Sequence, residues 1–124
     1  EYVRTPFADT SLYPLPERLN EEVAVFLSDV LPTSHEIGVQ YGNVKPGDTI
    51  AIISTGPIGM GCLLTAQFYS PAQIIAVDMD DNRQAMAKEL GATHTINSAK
   101  EDAIQRILEI TDGRGSIAPW KPWG

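Results

Sequence analysis

The chain has 124 residues, 43% of them hydrophobic, which is enough material for one ordinary domain around a single core. Its 16 acidic residues against 9 basic ones give a net charge of −7, which argues against nucleic acid or an anionic membrane surface as a partner. Cys62 is the lone cysteine, so an internal disulfide is excluded and a reducing cytoplasm is expected; no apolar run approaches the roughly 20 residues that span a bilayer.

The opening Glu1-Tyr2-Val3-Arg4 offers neither an initiator methionine nor a signal peptide, as expected of a chain cut from something longer. Residues 1–16 carry Pro6, Pro14 and Pro16 and read as an extended piece running into irregular structure. Leu19, Val23, Phe26 and Leu27 recur on one face of an expected helix at Glu17-Leu27. A second helix is expected around Thr33-Tyr41, opened by Thr33 or Ser34 and closed by Gly42. Lys45-Pro46-Gly47-Asp48 places Pro then Gly in the centre of a type II turn.

The apolar run Thr49-Ile53 then reads as a strand, Pro57-Tyr69 as a helix stopped by Pro71, and Gln73-Val77 as a second strand. A helix over Asp81-Leu90 follows Asp80 and ends at Gly91, and a short strand lies near Thr93-Ile96. Ser98-Ala99-Lys100-Glu101 has the spacing of a capping box for a helix reaching Ile110. The alternation predicts an α/β fold: a truncated doubly wound (Rossmann) parallel sheet in the order 3-2-1, joined by right-handed crossovers and flanked by helices. After Gly115 a fourth strand is due, but Pro119 and Pro122 block it, and residues 116–124 read as an atypical tail carrying Trp120 and Trp123.

The chemistry concentrates between the first two strands. Ser54-Thr55-Gly56-Pro57-Ile58-Gly59 joins strand to helix, and Asp78 ends the next strand nineteen positions after Gly59. A dinucleotide needs that order. The backbone at Gly56 must approach a pyrophosphate, Gly59 lets helix and strand close up, and Pro57 opens the helix without wasting an N–H. The amides that follow, Ile58 among them, meet phosphate at the positive end of the helix dipole. Asp78 is expected to accept from the adenosine ribose hydroxyls and to repel a 2′-phosphate, which favours NAD over NADP. Ser54 replaces the first glycine of the pattern, and a left-handed backbone there costs serine roughly 1 kcal/mol.

Lys45-Pro46-Gly47-Asp48, Gly56-Pro57-Ile58-Gly59, Asp78-Met79-Asp80-Asp81-Asn82-Arg83, Lys88-Glu89-Leu90-Gly91-Ala92-Thr93 and Asp112-Gly113-Arg114-Gly115 together resemble the zinc-dependent alcohol dehydrogenases of the medium-chain dehydrogenase/reductase superfamily. The resemblance covers roughly residues 2 to 115 and implies the first half of an NAD-binding domain. It implies a parent reaction in which hydride passes from an alcohol to NAD while zinc polarises the alkoxide. By the same resemblance Asp29 stands at the remnant position of a zinc ligand, Thr33 lies near the nicotinamide, and Asp78 and Arg83 hold the adenosine ribose. Three protein ligands are needed for a catalytic zinc, so Asp29 alone is expected to stay a solvated or helix-capping carboxylate.

The expected organisation is therefore a connection remnant at 1–16, a partial dinucleotide-binding domain at 17–115 and the tail at 116–124. The expected function is that of a cofactor-domain fragment, inactive alone, with no catalytic residue and at most an adenosine-half site for NAD or an adenosine nucleotide. The alternative is a structural module that has lost cofactor binding. In either case the edge of the strand at Thr49-Ile53 carries no lysine or proline to blunt it, so a homo-oligomer through that edge is expected, with Trp120 and Trp123 partly buried.

Overall fold

β-branched side chains supply the centre of the molecule. In the structure, a computed structural model describing residues 2–116, β1 (Thr49–Ile53), β2 (Gln73–Asp78) and β3 (His94–Asn97) form one sheet. The strands are parallel and β2 lies in the middle, which is the expected 3-2-1 order. Ile50 pairs with Ile74 and Ile52 with Ala76, while Val77 faces Ile96 and Asp78 faces Asn97.

Alternation along the strands makes two cores. Ile50, Ile52, Ile74 and Ala76 point to one face, where they meet Met60, Cys62, Leu63 and Ala66. Ala51, Ile75, Val77 and Ile96 point to the other, where Ile107 and Ile110 cover them. Ile50, Leu63, Ile75 and Ile96 are all fully buried, and each contributes about 1.5–3 kcal/mol by leaving water. A sheet apolar on both faces needs helices on both, and this chain supplies them.

The helix on the first face, α4 (Pro57–Ala66), runs on as a 3-10 turn to Tyr69. It is buried almost all round because the sheet lies under it and the helix beginning at Val30 lies over it. Here α3 is Val30–Thr33, continued by a π-helical stretch, Ser34–Gln40. A side chain at Gly61 would strike Ser34, and one at Gly38 would strike Cys62, so the two helices cross at glycine. Ser34 seals the crossing by donating to the Val30 carbonyl at 2.5 Å and sharing the Ile58 carbonyl at 2.9 Å.

Several expected boundaries shift, each for a local reason. The second helix begins at Val30, three residues before Thr33, because Pro32 sits in the first turn, where a missing N–H costs nothing. Asn43 (φ 53°), not Gly42, takes the left-handed position after it. The expected Glu17-Leu27 helix shrinks to α2 (Glu21–Ala24) with a 3-10 turn through Leu27, because Asn20 caps it by accepting from Glu22 N–H and Val23 N–H. Its expected apolar face is not a core face: Val23, Phe26 and Leu27 are exposed, and Ala24 is the residue buried. One short helical turn, α1 (Ala8–Ser11), interrupts the irregular opening segment.

Downstream, α5 (Asp81–Glu89) begins after Asp80 as expected, and Gly91 (φ 113°) ends it. The last helix, α6 (Ala103–Ile110), starts later than the Ser98 capping box implies. Asn97 turns the chain first, accepting from Ala99 N–H at 2.9 Å, and Asp102 then caps α6. Among the described residues no helix is long and apolar enough to cross a membrane. The tail with Trp120 and Trp123 lies outside the described residues apart from Ser116.

Candidate functional site

Ser54 occupies the left-handed region, with φ at 70°. Its N–H donates to the Val77 carbonyl at 2.8 Å, extending the β1–β2 ladder by one bond, and the chain then swings away towards α4. Gly56 stands at the N-cap of α4 in extended backbone, and Pro57 is the first helical residue. The neighbouring helices α5 and α6 carry aspartate caps; α4 has no side-chain cap among the described residues. Its first-turn amides are therefore open to an external acceptor, which suits an anion.

The two glycines of the turn do different work. A Cβ on Gly59 would collide with the carbonyl oxygen of Ser54, so this position brings helix and turn into direct backbone contact. A Cβ on Gly56 would meet nothing within 4 Å. Gly56 is bare towards open space, and Gly59 is bare where the protein packs. Ile58, between them, is 41% exposed.

Ser54 should hold measurable strain. Ser54→Gly is expected to raise stability by about 1 kcal/mol, because glycine adopts positive φ without a Cβ clash. Chemical denaturation of both proteins checks this; equal midpoints would mean that the turn accepts serine without strain.

Asp78 closes β2 only 8% exposed, with its carboxylate already engaged. Its Oδ2 accepts from Thr55 N–H at 2.7 Å and from the Thr55 hydroxyl at 3.1 Å, and its Oδ1 accepts from Asp80 N–H at 3.0 Å. Arg83 brings its guanidinium to 3.8 Å of Oδ2 while remaining exposed itself. Burial opposes ionisation of Asp78, yet the hydrogen bonds from Thr55, Asp80 and Met79 outweigh it and hold the carboxyl below the usual carboxylate range. The folded value lies below the unfolded one, so the stabilisation is complete above the ordinary aspartate range. It is lost as pH falls through the lower folded value. Acid unfolding followed by circular dichroism should steepen in that window, and Asp78→Asn should flatten this part of the profile.

Thr33 and the turn share one cleft. A cavity of about 360 Å³ beside β1 is lined by Thr33, Ile37, Ile53, Gly56, Ile58 and Cys62, among others. Asp78 and Arg83 are not among the residues lining it, so the expected site residues fall into two groups, those of the cleft with Thr33 and the glycine turn, and the Asp78–Arg83 pair. The Cys62 thiol borders the cleft but is buried, and burial pushes its pKa up, against opposing hydrogen bonds at Ser34 and in its own backbone. It packs as a small apolar residue.

Asp29 is exposed at the N-cap position of α3, and its Oδ1 accepts from the Thr33 hydroxyl at 2.9 Å. No three His, Cys, Asp or Glu side chains come together among the described residues in a way that could hold a metal ion. With one carboxylate, these residues do not fit a catalytic zinc, which takes three protein ligands and an open position. His35 meets the Tyr69 hydroxyl at 3.0 Å and His94 meets the Thr93 hydroxyl at 3.1 Å. The Thr55 contact to Asp78 is the site feature that sequence reading missed. A hydroxyl at the second place of the turn was the only available signal.

Residues 57–117 match the family of zinc-binding dehydrogenases. An alcohol dehydrogenase of Cupriavidus necator is 33% identical over 93% of the chain and 31% of its own length. An NADP-dependent isopropanol dehydrogenase of Entamoeba histolytica is 37% identical over 87% of the chain and 29% of its own length. Among solved structures, the apo form of zinc-dependent alcohol dehydrogenase 2 from a Streptococcus superposes with a TM-score of 0.85 at 53% identity, covering 92% of this chain and 32% of that one. An alcohol dehydrogenase of Thermus sp. gives 0.81 at 34% identity, covering 90% and 32%. The chain thus spans about a third of the length of the relatives it matches.

Proposed function

Since the chain belongs to the zinc-binding dehydrogenases, among the alcohol dehydrogenases of the medium-chain dehydrogenase/reductase superfamily, we propose that it binds the adenosine half of NAD for such an enzyme. One observation carries this reading. The uncapped start of α4 and the Asp78–Arg83 pair flank a single turn, one side suited to a pyrophosphate and the other to a ribose. Gly56 and the amides of Ile58 and Gly59 would take the pyrophosphate, and Asp78 would accept from the ribose hydroxyls, with Arg83 above it. Thr33, across the cleft, would face the nicotinamide end. Bound NAD would supply the hydride acceptor; the residues of this chain orient it.

For the whole protein we propose oxidation of an alcohol with NAD, in the cytoplasm. For the 124 residues alone we propose binding without turnover, since Asp29 is the one zinc-ligand candidate and no partner ligand stands beside it among the described residues. NAD and ADP-ribose should bind alike. NADP should bind about tenfold more weakly or worse, because its extra phosphate meets the Asp78 carboxylate. The NADP-dependent relative makes this a real choice. Calorimetric titration with the three ligands decides it: tighter binding of NADP would sink the Asp78 role, and reduction of NAD by an alcohol with zinc added would sink the inactivity.

A second reading has its own support. β1 is an edge strand among the described residues, and the cleft beside it carries exposed Ile37, Ile53 and Ile58. Unpaired N–H and C=O groups beside apolar surface favour strand pairing between two copies. Sedimentation should then give a dimer or larger species, and Ile53→Lys should return it to monomer. A wild-type monomer at high concentration would rule this reading out.

A further inference from the structure

We propose that Thr55 is a positioning residue that locks the glycine turn to the carboxylate of Asp78, holding Ser54 in its left-handed conformation and aiming the carboxylate at the nucleotide ribose. The ribose part rests on the reading above; the lock itself stands on the geometry. Thr55 is 1% exposed and gives both its donors, N–H at 2.7 Å and hydroxyl at 3.1 Å, to the same oxygen, Oδ2 of Asp78. Two bonds from one residue to one atom fix the threonine rotamer and the carboxylate torsion together. Arg83 also approaches Oδ2, whereas the one hydrogen bond placed on Oδ1 by distance is that from the Asp80 amide. Oδ1 therefore keeps acceptor capacity for a hydroxyl.

The same contact answers the serine. Ser54 is held from its own N–H by Val77 and, one residue later, through Thr55 by Asp78. A residue kept at φ 70° against its preference persists where the surroundings over-determine it. Thr55 thus compensates for the missing glycine: its hydroxyl should matter most when Ser54 is present.

The test uses the full 124-residue chain and its Thr55→Val, Thr55→Ser, Ser54→Gly and Ser54→Gly/Thr55→Val variants. The side-chain carboxyl of Asp78 is titrated by carbon NMR, with Arg83 as the charged side chain beside it. Thr55→Val should raise the Asp78 midpoint by about half a pH unit or more, and Thr55→Ser should restore it. AMP and NAD should each bind about fivefold more weakly to Thr55→Val. The stability lost through Thr55→Val should be smaller in the Ser54→Gly background than in the chain that keeps Ser54. An unchanged Asp78 midpoint in Thr55→Val, with Ser54→Gly/Thr55→Val as the same measurement in a more stable background, overturns the lock. If wild-type chain binds neither AMP nor NAD while the midpoint moves as expected, the lock stands and the functional reading falls.

Discussion

Gly59→Ala is expected to destabilise the chain by about 3 kcal/mol, although alanine is the better helix former. Gly59 lies in the first turn of α4, where propensity alone predicts a gain of up to about 1 kcal/mol. The added Cβ, however, would collide with the Ser54 carbonyl, and that oxygen belongs to backbone. It cannot rotate aside as a side chain would. Ser54 is tied to Val77 and the next residue to Asp78, so relief requires α4 to lift from β1 or the β1–β2 ladder to give. Ile52 and Leu63, buried between helix and sheet, would lose packing in either case. Thermal unfolding should show a fall of roughly 10 °C. A variant as stable as wild type would mean that the close approach is soft, and a more stable one would mean that propensity governs this position.

Gly56→Ala should do the reverse. The position is extended backbone with ψ near 180° and open space around the missing Cβ, so the fold should keep its stability within about 0.5 kcal/mol. Binding of NAD or ADP-ribose should fall by at least about tenfold, because the new methyl would stand where the proposed pyrophosphate approaches the amides of α4. Calorimetry with ADP-ribose, beside a melting curve, separates the two effects. Loss of stability with unchanged affinity would exchange the roles assigned to the two glycines and would remove the pyrophosphate from this turn. Because Gly56 and Gly59 are three residues apart on one turn, the opposite outcomes test the site more sharply than either alone.

Both predictions depend on contacts that local pattern cannot encode. Strand order, the Pro57 helix start, the Asp80 cap and the turn at Gly47 were all legible, because each follows from periodicity or from groups within a few residues. The Rossmann-like architecture followed from those pieces. Less legible were the ends governed by competition between nearby caps. Asn20 displaced the start of α2, and Asp102 displaced Ser98 as the cap of α6, each by offering a carbonyl oxygen or carboxylate to the free amides. Leu19, Val23, Phe26 and Leu27 carried a helical period, but a period states only that a face exists, and nothing in it says what covers that face.

By itself, the sequence determined one ordered unit with the spacing expected for a dinucleotide, Gly56, Pro57, Ile58, Gly59 and Asp78, and the family resemblance added Arg83, Thr33 and the zinc-ligand position Asp29 as expectations. Tertiary structure alone decided how they divide. It put Thr33 in a cleft with the turn and left the Asp78–Arg83 pair outside that cleft. It also bound Asp78 to Thr55, 23 positions away along the chain. Periodicity, capping and turn chemistry act within a few residues, so sequence carries them. Hydrogen bonds between the ends of neighbouring parallel strands depend on register and twist, which exist only once β1, α4 and β2 have packed.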